Sequence, residues 1–119
     1  MKKIISKIAV LVFCSLFILC KKEGKHQIRI KNDFSPTWGG VLVGEKTAGN
    51  AKFTEDINQG NTSEYADIDA GSFAWKVTYW GGGNIYADYN GDNKVSGRGK
   101  HKWTLSISDG GVGKLSEDK

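Results

Sequence analysis

Phe73-Ala74-Trp75-Lys76-Val77-Thr78-Tyr79-Trp80 decides the fold class. Large apolar side chains fall at Phe73, Trp75, Val77 and Tyr79, with smaller or charged ones between them. A two-residue period puts those four on one face of a strand, whereas a helix would scatter them around its circumference. Trp80 then lies on the opposite face. The same alternation recurs outward in both directions. Gln27-Ile28-Arg29-Ile30-Lys31 turns its isoleucines inward, and Asn32-Asp33-Phe34-Ser35-Pro36 breaks that strand with the chain's one proline. Gly40–Gly44 is a short apolar run between glycines, Lys52–Ile57 a weaker strand, and Thr62–Ile68 a strand needing a bulge to bring Tyr65 and Ile68 into phase. Ile85–Tyr89 follows a glycine turn. His101–Ile107 closes the set, with Trp103, Leu105 and Ile107 on one face. About seven short strands with Gly, Asn and Asp punctuation predict an all-β single domain, a small antiparallel β-sandwich.

The chain begins differently. Lys2, Lys3 and Lys7 precede a mostly apolar run from Ile8 to Leu19, which ends on Cys20 and passes abruptly into Lys21-Lys22-Glu23-Gly24-Lys25. About a dozen apolar residues suit the core of an export signal and fall short of the ~20 that span a bilayer. Leu16-Phe17-Ile18-Leu19-Cys20 resembles the lipobox of bacterial lipoproteins in a relaxed form, with Leu19 where the family has a small residue. The resemblance implies cleavage before Cys20, a diacylglycerol on its thiol and a palmitate-type acyl chain on its new amino group. Lys21, in place of a retaining Asp, implies the outer rather than the inner membrane of the cell envelope. The division expected is a signal peptide over 1–19, the lipidated cysteine and a short charged tether over 20–25, the sandwich over 26–109 and a flexible tail over 110–119.

Three of the 17 basic residues and none of the 13 acidic ones precede Cys20, so residues 20–119 carry 14 and 13, net +1. The overall +4 is therefore no argument for nucleic acid. Cys14 and Cys20 are the only cysteines, so a chain cut at Cys20 has no disulfide.

Gly60-x-Thr62-Ser63-x-Tyr65-x-x-Ile68-x-x-Gly71-x-Phe73-x-Trp75-x-Val77 resembles the strand–turn–strand of small exported β-sandwich modules. Fold resemblance carries no function. Chemistry must come from side chains, and three groups offer it. Asp88, Asn90 and Asp92 stand at positions 1, 3 and 5 of a segment resembling the calcium loops of EF-hands and dockerins, where alternate oxygen ligands converge on one hard cation. Asn93 replaces the turn glycine and Gly99 the closing carboxylate, and the competing reading is a polar turn between strands. Trp38, Trp80, Tyr86 and Tyr89 are candidates for a flat apolar platform beside glycine turns, with Asn84 and Asp88 to hydrogen-bond a sugar ring or a protein partner; the competing reading is core packing. Lys94, Arg98, Lys100, His101 and Lys102 form a basic cluster that suits anionic headgroups or, equally, an edge strand guarded by lysine.

Catalysis finds no motif. His26 and His101 are the only histidines, no zinc spacing exists, and no serine sits in a nucleophile elbow. The expectation is a non-enzymatic, membrane-anchored envelope lipoprotein whose sandwich binds a protein or glycan. The alternatives are a structural accessory protein without a ligand, or a secreted sandwich with a weak calcium site.

Overall fold

The computed structural model describes residues 26–36, 39–82 and 85–119, with the backbone alone for Ile85. The signal segment with Cys20, the tether, Trp38 and Asn84 lie outside them. The described chain is all-β: two sheets pack face to face, built from nine strands, β1 (His26–Asn32), β2 (Val41–Ala48), β3 (Ala51–Phe53), β4 (Ile57–Asn58), β5 (Ala66–Ile68), β6 (Gly71–Gly81), β7 (Ile85–Val95), β8 (Lys102–Ser108) and β9 (Val112–Asp118). One sheet runs β5-β1-β8-β9. The other runs β3-β2-β6-β7, with β4 also on β2. Every pair is antiparallel except β1–β8, which run parallel from Gln27 opposite Lys102 to Asn32 opposite Ile107.

The alternation in β6 is realised as read. Phe73, Trp75, Val77 and Tyr79 are buried and meet Ile28, Ile30, Trp103, Leu105 and Ile107 from the facing sheet. Such interdigitating inner faces are what hold a sandwich together.

Elsewhere the structure corrects the sequence. The weak strand at 52–57 is two pieces, β3 and β4. The strand at 62–68 shrinks to β5, preceded by one bridge from Thr62 to Lys31. β2 continues past Gly44 through a two-residue register shift between Val43 and Thr47, and Lys46 lies on the same inward face as Leu42 and Ala48, where it is fully buried. Its ammonium reaches the Gly44 carbonyl, and burial lowers its pKa against the opposing pull of Asp56. The breaker after β1 is also part of the core, for Phe34 is buried and stacks on Tyr79 at 4.2 Å between centroids.

The largest correction is the tail. Residues 112–118 are β9, paired with β8 along its whole length from Ser108 opposite Val112 to Lys102 opposite Asp118. Two contacts hold it. A Cβ at Gly113 would lie 2.5 Å from the Trp75 indole, and one at Gly91 of β7 would lie 2.7 Å from it. The indole therefore fills the space that side chains on β7 and β9 would otherwise occupy. At the other end of the strand the Asp118 carboxylate accepts hydrogen bonds from the Tyr65 hydroxyl (2.6 Å) and from Thr104 Oγ1 (2.8 Å). Arg29 stands 3.5 Å from it, and both Arg29 and Lys102 lie over the Tyr65 ring.

Contacts between the sheets define two ends: Asn32 Nδ2 donates to the Gly40 carbonyl at one, and a Cβ at Gly49 would meet both Ile68 and Phe73 at the other. His26, Ile68, Gly71, Val95, Lys102 and Asp118 share the end at which the chain enters β1. Asn32, Gly40, Gly81 and the Ser108–Val112 turn share the far end. Six steps of β1 separate the two by about 20 Å.

Candidate functional site

The outer face of the β2-β6-β7 sheet is set by the same alternation that builds the core. Residues facing out from β6 are Trp80, Thr78 and Lys76; opposite them on β7 stand Tyr86, Asp88 and Asn90, and Val41 and Val43 stand opposite Trp80 and Thr78 on β2. Val41, Trp80 and Tyr86 thus form one row across three strands at the far end. The Trp80 and Tyr86 rings are 6.3 Å apart at 43°, within the range of favourable aromatic pairs. Trp80 is only partly buried and Tyr86 is 68% exposed. In the next row Thr78 Oγ1 donates to the Asp88 carboxylate at 2.7 Å. The arrangement is an aromatic surface of two mutually tilted rings with a polar edge, which can take the face of a sugar ring or an apolar patch of a protein.

Tyr89 does not belong to that surface. It stands opposite Val77 on the inner face of β7, and its ring packs on Phe34 at 5.8 Å. It lines a cavity of about 280 Å³ at the far end together with Phe34, Tyr79, Ala87 and Asp109. Tyr79 is 5% exposed, and its hydroxyl is buried with no hydrogen-bond partner among the described residues. Burial, and then the nearness of Tyr89 and Asp109, raise its pKa above 10.0, so it stays protonated at neutral pH. The sequence assigned Tyr79 to the core and Phe34 to a turn, and so missed the cavity. An aromatic inside an Asn-Asp-Phe-Ser-Pro breaker was the available signal.

Asp88, Asn90 and Asp92 are no calcium loop. The stretch read as a turn is the body of β7, pairing residue for residue with Thr78, Lys76 and Ala74 of β6. Strand geometry holds successive same-face residues roughly 7 Å apart and parallel, whereas calcium ligands must converge to within ~2.5 Å of one point. Among the described residues no group of three or more His, Cys, Asp or Glu side chains could hold a metal ion.

The basic cluster is divided. Lys94 and Lys102 are exposed on their strands, but His101 is pinned: its Nδ1 lies 2.7 Å from Glu117, and its Nε2 faces the Arg98 carbonyl. Those bonds, Glu117 first, raise its pKa above 6.5. Its ring stacks on the buried His26, whose Nδ1 accepts from the Trp103 indole N–H. This cluster occupies the entry end, opposite the aromatic surface.

Comparison of the chain with protein-family models, with curated proteins and with solved structures returns no match, so fold and side-chain geometry alone bear on what it does.

Proposed function

We propose that this protein is a bacterial envelope lipoprotein, held at the outer membrane through Cys20, whose β-sandwich is a binding module rather than an enzyme. One observation carries the binding reading: the Val41–Trp80–Tyr86 row presents the exposed Tyr86 ring and the partly exposed Trp80 ring side by side on a paired sheet. Burying rings like these against a partner releases apolar surface from water and needs no ordering of the backbone beneath. Its position also supports the reading. The row lies at the end away from His26, where a tether of residues 21–25, reaching at most about 17 Å, would join the domain to its membrane.

The test combines anchor and surface. The intact mass of the membrane-extracted protein should begin at Cys20 and include acyl chains, and Cys20→Ala should abolish both. Acrylamide should quench Trp80 in a variant retaining it as the sole tryptophan. A glycan array and purified envelope proteins should then yield a ligand that protects it and that Trp80→Ala and Tyr86→Ala no longer bind. A Trp80 shielded from acrylamide would overturn the binding surface and leave a structural accessory protein.

A further inference from the structure

We propose that the free edge of β7 is a pairing surface for a second copy of this chain, joined to it antiparallel about Gly91. The pairing rests on β7 alone. Only its placement between membranes, drawn below, rests on the anchor at Cys20.

A strand at the end of a sheet presents backbone N–H and C=O groups to any other strand, and natural proteins shorten, bulge, cover or charge such edges. The other edges of this sandwich follow that rule. β3 and β5 are three residues long and β4 two. On β9 the charged groups are committed within the fold, Glu117 to His101 and Asp118 to Tyr65 and Thr104. β7 is the exception. It is eleven residues long, pairs with β6 from Gly71–Val95 to Gly81–Ile85 without a register shift, and holds one lysine and no proline. Among the described residues no strand lies on its other side, and no backbone group of a turn or loop bonds to it. Tyr86, Asp88, Asn90, Asp92 and Lys94 are all exposed.

The charges on this edge select both the occupant and the register. Antiparallel self-pairing is two-fold symmetric, so residues equally distant from the central one stand opposite each other. About Asn90, Asp88 would face Asp92 twice. About Asp88 or Asp92, a carboxylate would face itself. About Tyr89, Lys94 falls outside the overlap, and about Asn93 it meets Asp92 but only Gly91–Val95 overlap. About Gly91, the whole of Ala87–Val95 overlaps, Lys94 of each copy faces Asp88 of the other, and Asn90 faces Asp92. Opposite charges directly across two strands stabilise the pair and like charges destabilise it, so this register is favoured. Asp88 has an oxygen for it, because the Thr78 hydroxyl donates to Oδ1 and leaves Oδ2. Gly91 suits the axis: it carries no side chain, and a Cβ there would lie 2.7 Å from the Trp75 indole of its own copy, so the inner face beside it is already filled. Each copy uses its one long unguarded edge, and the contact is isologous, so it closes at a dimer.

Antiparallel pairing sets the entry end of one copy beside the far end of the other. Two copies that stand on their anchors with their entry ends toward lipid therefore meet in this way from facing membranes, and the sandwich becomes a homophilic link between them.

Sedimentation equilibrium of the full chain in density-matched detergent measures the pairing. Edge pairing makes a small interface, so the dimer should form at on the order of 10–100 μM. Lys94→Glu and Asp88→Lys each set like charges across both contacts, and each should weaken the dimer at least about tenfold while keeping the strand-rich circular dichroism of the wild type. Mixed in equal amounts, the two variants regain two opposite-charge pairs about Gly91 and should associate as tightly as wild type; the register about Asn93 would not be restored. A wild-type chain monomeric up to about 1 mM, a dimer that Lys94→Glu leaves unchanged, or folded variants that fail to associate when mixed would overturn the proposal. The acylated chain in vesicles adds the membrane arm. Vesicles carrying either variant should stay dispersed and should cluster when the two populations are mixed. Association in detergent without clustering would overturn the link between facing membranes and leave the edge pairing standing. A chain that does not remain with the vesicles would overturn the anchor and not the pairing.

Discussion

Asn32 shows how one residue can join two sheets. As the last residue of β1 it is fully buried, and its Nδ2 donates to the Gly40 carbonyl (3.1 Å) and the Ile57 carbonyl (2.9 Å). Its Oδ1 accepts from the Phe34 backbone N–H at 3.3 Å. The side chain thus ties the end of β1 to the start of β2 and to β4, while fixing the turn that seats Phe34 over Tyr79. Asn32→Ala leaves two carbonyls and one amide buried without partners, and each such group costs about 1–3 kcal/mol. The effects overlap, so the expected loss is about 2–4 kcal/mol in urea unfolding, with the Phe34–Tyr79 contact loosened. A loss below about 1 kcal/mol would mean that water replaces the amide, and the joint would not be structural. In the sequence this residue reads as the first of a breaker. Both readings are correct, because an Asn that ends a strand can be buried when its amide serves the backbone of the next element.

At the scale of elements, strands were legible where one face is apolar and missed where the core is filled from elsewhere. β1, β6 and β8 carry large apolar residues at every second position, and their inward faces can be read directly. β7 and β9 cannot be read that way. Their inward positions include Gly91, Asn93, Gly113 and Glu117, and the Trp75 indole occupies the space beside the two glycines. A single large side chain on β6 thereby erases the hydrophobic period of its neighbours. This is why Asp88–Val95 looked like a cation loop and residues 110–119 like a fraying tail. What secures the Asp118 end of β9 is polar, and it is testable through pH. Burial works against ionisation of Asp118, but the hydrogen bonds from Tyr65 and Thr104 and the charges of Arg29 and Lys102 outweigh it, so the carboxyl is held below its usual 3.8. A depressed folded pKa stabilises the native state above the unfolded value, and that stabilisation disappears as pH falls through the folded pKa. Asp118→Asn should therefore be less stable than wild type by a constant margin above about pH 5, and the margin should shrink progressively below pH 4. Urea midpoints of both proteins between about pH 2.5 and 6 measure it. A margin independent of pH would show that Asp118 acts by packing and not by charge.

For the whole molecule the decisive fact is polarity: the chain enters β1 at one end, and both the aromatic row and the cavity lie at the other. The sequence contained the ingredients, a charged tether before His26 and aromatic residues beside glycine turns, but not their separation. That follows from strand order, above all from the parallel β1–β8 pair, which sets Lys102 beside Gln27 and leaves the Ser108–Val112 turn about 20 Å away. If Cys20 carries the anchor, the sandwich should stand with Lys100, Lys102 and His101 toward the bilayer and Trp80, Tyr86 and the cavity away from it. Single cysteines in the acylated protein can report this: Lys100→Cys at the entry end and Val112→Cys, at a 59% exposed site, at the far end. With a donor dye on each and acceptor-labelled lipid in reconstituted vesicles, transfer should be clearly stronger from position 100 than from 112, because transfer falls steeply over a difference of about 20 Å between the two heights. Raising the salt should reduce transfer from both positions slightly if lysine contact with anionic headgroups adds to the tether, and not at all in neutral lipid. Equal transfer from the two positions would mean that the domain lies on its side. The outer aromatic face would then be a membrane contact, and the surface offered to a partner would have to be sought on the β5-β1-β8-β9 sheet.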